Sequence, residues 1–253
     1  MRTTTTQQAI AFIEAARAEA PGGVIAFDGD GTLWSGDIGE DFFHAILAAK
    51  AVRSEPREAL AREAAEVGLS TDGTATELAE RIHEAYLGHA FPEERCCEVM
   101  TWVSAGWSRA DLGRFCAEVL VQTKLAERLH GEAIAVVEHA RRVGLEVYLV
   151  SASPRTVVEE AAKIVGITNI VAATEVVADG IVAPAIEAPI PYGPGKVTRL
   201  RERIGTRPLH AAFGDNAFDV PMLCEAKHAF AVRPKARLRD RAADVPGLTE
   251  LTT

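Results

Sequence analysis

Two short acidic motifs in the chain carry carboxylates that could bind a metal ion together. Asp28 and Asp30 are two residues apart, so in extended backbone their side chains point to the same side. Asp215 and Asp219 form a second acidic pair. Such a cluster of carboxylates is strongly unfavourable without a cation, and a hard divalent ion with oxygen ligands relieves the repulsion. These residues therefore predict a site for magnesium.

Two further polar side chains, Ser151 and Lys196, occupy positions from which they could join these acids. Alone, a serine after a strand is more often a helix cap, and a lysine is more often a solvated surface residue. Here Ser151 directly follows an apolar run, and Lys196 opens the helix before the strand that leads to Asp215. The Asp-Gly-Asp-Gly-Thr stretch alone could also be a calcium loop, but no glutamate closes it at the required spacing.

The apolar runs that must position these residues predict a parallel β-sheet. Val24–Phe27 is a continuous apolar run next to glycines, which is typical of a strand buried on both faces, and it ends at Asp28. Ligands gather at the carboxyl ends of parallel strands, so the polar residues that follow such runs are expected to meet at one edge. The other predicted strand segments are 146–150, 170–190 with a hairpin turn at Asp179-Gly180, 209–213 and 229–232.

Helical periodicity divides the chain into two predicted parts. Strands alternate with helices outside residues 36–126, whereas that block is rich in Ala, Glu, Arg and Leu and shows no clear strand. The pattern favours an α/β fold: a Rossmann-like parallel-sheet core sandwiched by helices (1–35 and 127–253), with an inserted all-helical cap domain (36–126). Predicted cap helices are 40–52, 55–67, 74–87, 92–104 and 108–129, and predicted core helices are 7–20, 132–143, 154–165 and 195–204.

Composition narrows the range of partners. The net charge of -9 gives no attraction for the phosphates of nucleic acid, so a nucleic-acid partner is not expected. No stretch approaches the roughly 20 apolar residues of a membrane span, and the N-terminus has no apolar signal segment. The four cysteines have no zinc-binding spacing and are expected to be free thiols. A cytoplasmic protein, monomeric or homodimeric, is expected.

The motifs in this order resemble the haloacid dehalogenase superfamily, in particular its phosphoserine-phosphatase-like branch. The family's first motif, DxDxT, matches Asp28, Asp30 and Thr32. The second matches Ser151, the basic third matches Lys196, and the acidic fourth matches Asp215 and Asp219. The resemblance spans about residues 24–235, and the helical block falls where the family inserts a cap between its first and second motifs.

The resemblance implies a role for each matched residue. Asp28 would be the nucleophile that forms an aspartyl-phosphate, and Asp30 the general acid and then the base that activates water. Magnesium would be held by Asp28, the backbone carbonyl of Asp30 and Asp215, with Asp219 nearby. Lys196 would neutralise phosphate charge and orient Asp28. The expected substrate- and phosphate-binding residues, besides Lys196, are Gly29, Thr32, Asp37, Ser151, Ala152 and Asn216.

Two departures from the family pattern concern the substrate. Phe218 stands where the fourth motif usually carries an asparagine, and Asp37 stands where the branch carries a glutamate that contacts the substrate amine. A small phosphorylated metabolite is the expected substrate, with amine-bearing esters the first to test. An arginine that would grip a substrate carboxylate is not assigned; the candidates are Arg53, Arg57, Arg81 and Arg109. Aromatic candidates for a substrate pocket are Trp34, Phe42, Phe43, Trp102 and Trp107, although all but Trp34 are better explained as cap core.

Other activities remain as alternatives. A phosphotransferase or phosphomutase would use the same aspartyl-phosphate with a different acceptor. A dehalogenase is disfavoured because no leaving alkoxide would need the proton of Asp30. A receiver-like phospho-acceptor is disfavoured because Lys196 precedes Asp215 and the helical insert is too large.

Overall fold

A seven-stranded parallel sheet forms the centre of the protein, as seen in a computed structural model that describes residues 1–253. The strand order is β1-β9-β8-β7-β2-β3-β4, and every neighbouring pair is parallel. The predicted α/β class with a parallel sheet is confirmed. The strands are β1 (Arg2–Thr5), β2 (Val24–Phe27), β3 (Val147–Pro154), β4 (Asn169–Ala173), β7 (Leu209–Gly214), β8 (His228–Val232) and β9 (Thr249–Thr252).

Both faces of the sheet are covered, which explains why its central strands are apolar throughout. All four residues of β2 are buried, and so are all six of β7. The sequence did not predict β1 and β9, which pair with each other at one end of the sheet. Their residues are mostly threonines and charged groups, and they are half-exposed or exposed apart from Thr4 and Leu251. A half-exposed strand of this kind lacks the apolar run that revealed the central strands.

Helices pack on the two faces of the sheet and connect its strands. The helix expected at 154–165 begins one residue later, because Pro154 is the last residue of β3 and lies outside the helix. Two short helices after β7 and β8 were not predicted. The core helices are α1 (Thr6–Glu19), α7 (Gly131–Arg142), α8 (Arg155–Val165), α9 (Pro194–Ile204), α10 (Val220–Glu225) and α11 (Ala236–Asp240).

Five of the six α-helices between β2 and β3 form the segment that covers the carboxyl edge of the sheet. None of their residues forms a strand, as expected for 36–126, but the last helix ends at Gln122 and a short 3-10 turn (Leu125–Glu127) follows it. Lys124, which lies between the helix and this turn, has a positive φ of 54°, a conformation that ends an α-helix. The division into core and cap domains remains a prediction. The helices are α2 (Ile38–Ala48), α3 (Arg57–Glu66), α4 (Ala75–Leu87), α5 (Glu93–Trp102) and α6 (Arg109–Gln122).

A two-stranded hairpin, β5 (Glu175–Ala178) and β6 (Ile181–Ile186), joins the sheet side to this helical segment. The predicted turn at Asp179-Gly180 is where the hairpin reverses. The Gly106 amide donates to the Val182 carbonyl at 2.8 Å, and the Val182 amide donates to the Trp107 carbonyl at 2.9 Å. One hydrophobic cluster also includes buried side chains from both parts, among them Phe42 and Leu149. The helical segment therefore contacts the rest of the protein through hydrogen bonds and apolar packing as well as through its two chain connections.

The topology brings the motif residues to one place. In the sheet β2 lies between β7 and β3. Asp28 directly follows β2, Asp215 directly follows β7, and Ser151 lies near the carboxyl end of β3. This is the position at which strand order reverses, where open α/β sheets bind ligands. None of the helices combines the length and apolar character that crossing a membrane requires.

Candidate active site

Asp28 is held from two sides at the end of β2. The hydroxyl of Thr32 donates to Asp28 Oδ2 at 2.9 Å, and Lys196 Nζ donates to Asp28 Oδ1 at 2.5 Å. The carboxyl group is almost completely buried, and burial followed by the charge of Asp219 raises its pKa well above the usual range, while Lys196 opposes the rise. An ionised Asp28 therefore depends on the positive charge beside it.

Lys196 is a buried cation, unlike most lysines. It lies in the first turn of α9, and its Nζ donates to Asp28 and Asp219 at 2.5 Å each and to the Val150 carbonyl at 3.3 Å. Burial opposes its charge, but the carboxylates of Asp219 and Asp28 outweigh burial and hold the pKa of Lys196 above its ordinary value. Gly195 permits this placement, since a Cβ there would lie 2.0 Å from the Ile190 carbonyl oxygen.

Asp219 fixes the loop that carries Asp215. One of its oxygens receives Lys196, and the other accepts the amides of Asp215 at 3.0 Å and Asn216 at 2.9 Å. Asp219 therefore holds both Lys196 and the loop after β7. Its position beside a metal ion remains a prediction.

Asp215 has the features of a metal ligand. It is 1% exposed, and neither carboxylate oxygen receives a well-directed hydrogen bond, although Lys235 Nζ lies 2.9 Å from Oδ2. Ligand oxygens of Asp28, Asp215 and Asp219 lie within 4.8 Å of one another. Burial and then Asp219 raise the pKa of Asp215 to about 6, against the effect of Lys235. These buried oxygens fit a hard divalent cation.

Gly31 leaves the room that this carboxylate needs. It has a φ of +84°, which favours glycine, and a Cβ there would lie 2.1 Å from Asp215 Oδ2. Any side chain at this position would displace the carboxylate from the cluster.

Asp30 is oriented by four donors and faces a cavity. Its Oδ1 accepts the indole N–H of Trp34 and the amide of Ile38, both at 2.8 Å. Its Oδ2 accepts the hydroxyls of Ser153 at 2.7 Å and Ser151 at 3.3 Å. The side chain is absent from the cluster of Asp28, Asp215 and Asp219, so only the backbone of Asp30 remains a candidate ligand, as the family resemblance implies.

A cavity of about 530 Å³, part of it open to solvent, leads to Asp28 and Asp30 between the sheet edge and the helical segment. Three other predicted residues line it: Asp37, Ser151 and Ala152. Asp37 caps α2 by accepting the Glu40 amide at 2.9 Å. Its side chain is exposed to solvent that enters the cavity. Desolvation by the surrounding protein atoms and then the charge of Asp30 nevertheless raise the pKa of Asp37.

Several predicted substrate contacts lie behind this cavity instead of in its wall. Thr32 is completely buried and holds Asp28, so its side chain does not line the cavity, and its contact with phosphate remains a prediction. Asn216 caps its own turn, its side chain accepting the Ala217 amide at 2.8 Å. Gly29 packs against Trp34. Lys196 is fully buried, and its ammonium group contacts Asp28 and Asp219. These residues position the groups that face the cavity.

None of the four arginine candidates reaches the cavity. Arg53 binds the Gly106 carbonyl, and Arg57 binds the Gly73 carbonyl. Arg81 binds carbonyls in the loop before α4, and Arg109 forms ion pairs with Glu159 and the buried Glu175. Each guanidinium has partners within the fold, and none of the four candidates lines the cavity.

The aromatic candidates also lie outside the cavity wall. Trp34 is completely buried and acts on the site only through its indole N–H to Asp30. The others pack within or against the main hydrophobic cluster, as the cap-core interpretation predicted: Phe42, Phe43, Trp102 and Trp107.

Most residues that line the far half of the cavity were not predicted from the sequence. A signal was available for one group: Glu93, Cys96, Cys97 and Met100 recur at helical spacing and form one face of α5. The second serine of Ser151-Ala152-Ser153 could also have been noticed. Phe218 was marked by its departure from the fourth motif, and Glu40 by its closeness in sequence to Asp37. Without the fold, nothing marked the remaining members: Gly39, Tyr86, Pro154 and Tyr192. The cysteines are free, as expected, and burial raises the pKa of Cys96 to about 12, which makes it a poor nucleophile.

Loss of the Ser153 hydroxyl is expected to lower kcat about tenfold, since a hydrogen bond to a charged carboxylate contributes about 1.5–3 kcal/mol. The Ser153→Ala variant keeps the backbone and removes only the 2.7 Å donor to Asp30. Steady-state kinetics measures the effect. Ser104→Ala is the matched control, because the Ser104 hydroxyl is buried without a partner. Equal kcat values in the two variants would contradict the orienting role of Ser153.

The Asp215 carboxyl predicts a pH-dependent effect of magnesium on stability. Its pKa, raised to about 6, means that the metal-free fold gains stability as pH falls through about 6 and loses it as pH rises. A divalent ion binds the ionised form, so magnesium should raise Tm more at about pH 7.5 than at about pH 5. Thermal unfolding with and without magnesium measures this difference. A magnesium effect that is the same at both pH values, or that survives in Asp215→Asn, would exclude Asp215 as the ligand.

Comparison with known proteins places these features in a family. A probable phosphatase of Mycobacterium tuberculosis is 31% identical over 150 residues, which are 57% of this chain and 51% of that protein. The chain spans about half the length of the curated relatives it matches.

Solved structures share the fold. A protein of unknown function from Bordetella pertussis Tohama I has a TM-score of 0.69 at 22% identity, over 90% of this chain and 97% of that one. A probable phosphoserine phosphatase from Vibrio cholerae has a TM-score of 0.55 at 15% identity, over 90% of this chain and 60% of that one.

The model of the haloacid dehalogenase-like hydrolases matches residues 25–224, which include every motif named above. The matched range begins inside β2 and covers the helical segment as well as the sheet strands that carry Ser151 and Asp215. The resemblance seen in the motifs is confirmed. The chain belongs to the haloacid dehalogenase-like hydrolase family.

Proposed function

We propose that the protein is a magnesium-dependent phosphatase that hydrolyses a small phosphomonoester through an aspartyl-phosphate at Asp28. One observation carries the proposal: Asp28, fixed by Thr32 and Lys196, opens onto the same cavity as the well-oriented carboxylate of Asp30. The matched relative from M. tuberculosis, which is named a probable phosphatase, supports the same reaction class.

In the first step an oxygen of Asp28 attacks phosphorus, and the bond from phosphorus to the ester oxygen breaks. Asp30 gives its proton to the departing alcohol. Lys196 holds Asp28 in line and keeps it ionised against the cost of burial. Ser151 lies within the cavity wall beside Asp30, where its hydroxyl can donate to a phosphate oxygen. Phosphoryl transfer needs this positioning and charge neutralisation more than further covalent chemistry.

In the second step Asp30, now ionised, takes a proton from water. The water oxygen attacks phosphorus, the bond to Asp28 breaks, and inorganic phosphate leaves. Asp28 and Asp215 would hold magnesium, which supplies positive charge to the phosphate oxygens during both steps. The donors from Trp34, Ile38 and Ser153 keep the carboxyl group of Asp30 in place for both proton transfers.

A panel of phosphomonoesters tests the proposal by release of inorganic phosphate. Release is expected with magnesium and is expected to stop when a chelator removes the metal. Undiminished release after chelation would contradict the metal dependence. If the ester is consumed only when a second alcohol is present, and the phosphate appears on that alcohol, the protein is a phosphotransferase instead of a phosphatase.

A further inference from the structure

The part of the cavity beyond the catalytic carboxylates has a wall of acidic and aromatic side chains. The helical segment contributes Glu40, Tyr86, Glu93 and Met100, and the sheet side contributes Tyr192 and Phe218. Tyr192 and Phe218 lie next to each other, with ring centroids 5.1 Å apart. The chemistry of this wall must suit the organic part of the ester, because the phosphate end is occupied by Asp28, Asp30 and the serines.

The charge of this wall is negative. Asp37, Glu40 and Glu93 line it in addition to the catalytic acids, and no lysine, arginine or histidine is among the lining residues. Glu40 has only the Tyr86 hydroxyl as a side-chain partner, at 3.5 Å. Glu93 pairs with Arg237 at 3.1 Å, but that guanidinium is 64% exposed and lies outside the cavity. A substrate carboxylate would meet three carboxylates and no free cation here.

A positive group fits the same wall. A cation over the faces of Tyr86, Tyr192 or Phe218 would be attracted by their π-electrons, and Glu40 would add charge attraction. Met100 and Cys96 provide apolar contact for a short hydrocarbon chain. Carboxylates together with aromatic rings are the groups that recognise ammonium and quaternary ammonium ligands.

We propose that the substrate is a small phosphate ester of an ammonium or quaternary ammonium alcohol that carries no carboxylate, an inference that rests on the phosphatase function proposed above. Glu40 and Glu93 would then be specificity-determining residues. The acidic wall argues against O-phosphoserine, since its carboxylate would need a cation that the wall does not offer.

The test compares two pairs of esters, one pair that differs in charge and one pair that differs by a carboxylate. Phosphocholine and 3,3-dimethylbutyl phosphate have the same shape, but only phosphocholine is cationic; phosphoethanolamine and O-phosphoserine differ by the carboxylate. We expect kcat/KM to be at least about tenfold higher for phosphocholine than for its neutral isostere, and for phosphoethanolamine than for O-phosphoserine. The difference should lie mainly in KM, because the reacting groups are unchanged.

A double variant tests the named residues. In Glu40→Gln/Glu93→Gln the preference for phosphocholine over its isostere should fall to about threefold or less, the remainder coming from Asp37 and the aromatic rings. Glu84→Gln/Glu94→Gln changes the net charge equally at two exposed positions outside the cavity and should keep the preference. Loss of the preference in both double variants would assign it to overall charge and overturn the role of the wall.

The substrate inference and the phosphatase proposal fail in different ways. Rapid hydrolysis of p-nitrophenyl phosphate, together with equal or faster turnover of the neutral or carboxylated esters, would overturn the substrate inference and leave the phosphatase intact. If no ester, including p-nitrophenyl phosphate, releases phosphate with magnesium, both are overturned.

Discussion

The Asp28→Asn variant is expected to lose activity by at least ~10⁴-fold, because the amide cannot attack phosphorus. Asparagine has nearly the same shape, and Lys196 keeps Asp219 as a partner, so the fold should remain intact. Removing a buried carboxylate whose pKa is raised by burial also removes a destabilising charge from the metal-free protein. Phosphate release under single-turnover conditions measures the loss, with thermal unfolding as the check on folding.

Asp179→Asn is the matched control for this substitution. Asp179 is exposed in the hairpin turn with a φ of 51°, a conformation that asparagine tolerates, so full activity and unchanged Tm are expected. An Asp28→Asn protein that is folded and still turns over at more than about a tenth of the normal rate would mean that another residue is the nucleophile.

The Lys196→Met variant is expected to lower the free energy of unfolding by about 3–5 kcal/mol at neutral pH and to abolish activity. Methionine fills a similar apolar volume, but it leaves Asp28 and Asp219 buried without the cation that each contacts at 2.5 Å. Chemical denaturation measures the loss. Because burial already raises the pKa of Asp28, its protonation at lower pH should relieve part of the penalty, so the difference from the unsubstituted protein should shrink as pH falls.

Lys163→Met provides the comparison for a lysine that is 69% exposed and pairs only with Glu160 on its own helix. Its effect on stability is expected to stay within about 0.5 kcal/mol. If Lys196→Met costs no more than Lys163→Met, the buried charge network around Asp28 does not exist as described.

The catalytic half of the site could be predicted from sequence because local rules determine it. A continuous apolar run predicts a buried parallel strand, and the residue after each run lies at the carboxyl edge of the sheet. Asp28, Ser151 and Asp215 follow this rule. The prediction of Lys196 depended on the family resemblance, since nothing in its local sequence distinguishes it from a surface lysine. The close approach of Gly195 to the Ile190 carbonyl permits its buried position.

The substrate half could not be predicted because it depends on how helices pack over the sheet. Arg109 was a reasonable candidate for a substrate contact, yet the hairpin places Glu175 beside it and uses its charge for structure. Trp34 follows the nucleophile closely in sequence, but its ring packs inward and only its N–H reaches Asp30. Such outcomes follow from contacts between residues far apart in the chain, which spacing alone does not reveal.

The central claim, that Asp28 carries the phosphoryl group and Asp30 activates water, is tested most directly with Asp30→Asn and p-nitrophenyl phosphate. This leaving group departs without a proton, so the first step should survive, while the second should slow because no base activates water. Asparagine keeps Oδ1 as an acceptor for Trp34 and Ile38, so the geometry should persist. A burst of p-nitrophenolate equal to the enzyme concentration is expected. Borohydride reduction of the quenched protein should then convert residue 28 to homoserine. A burst with homoserine at another aspartate, or steady turnover with no burst and no modified aspartate, would contradict this mechanism.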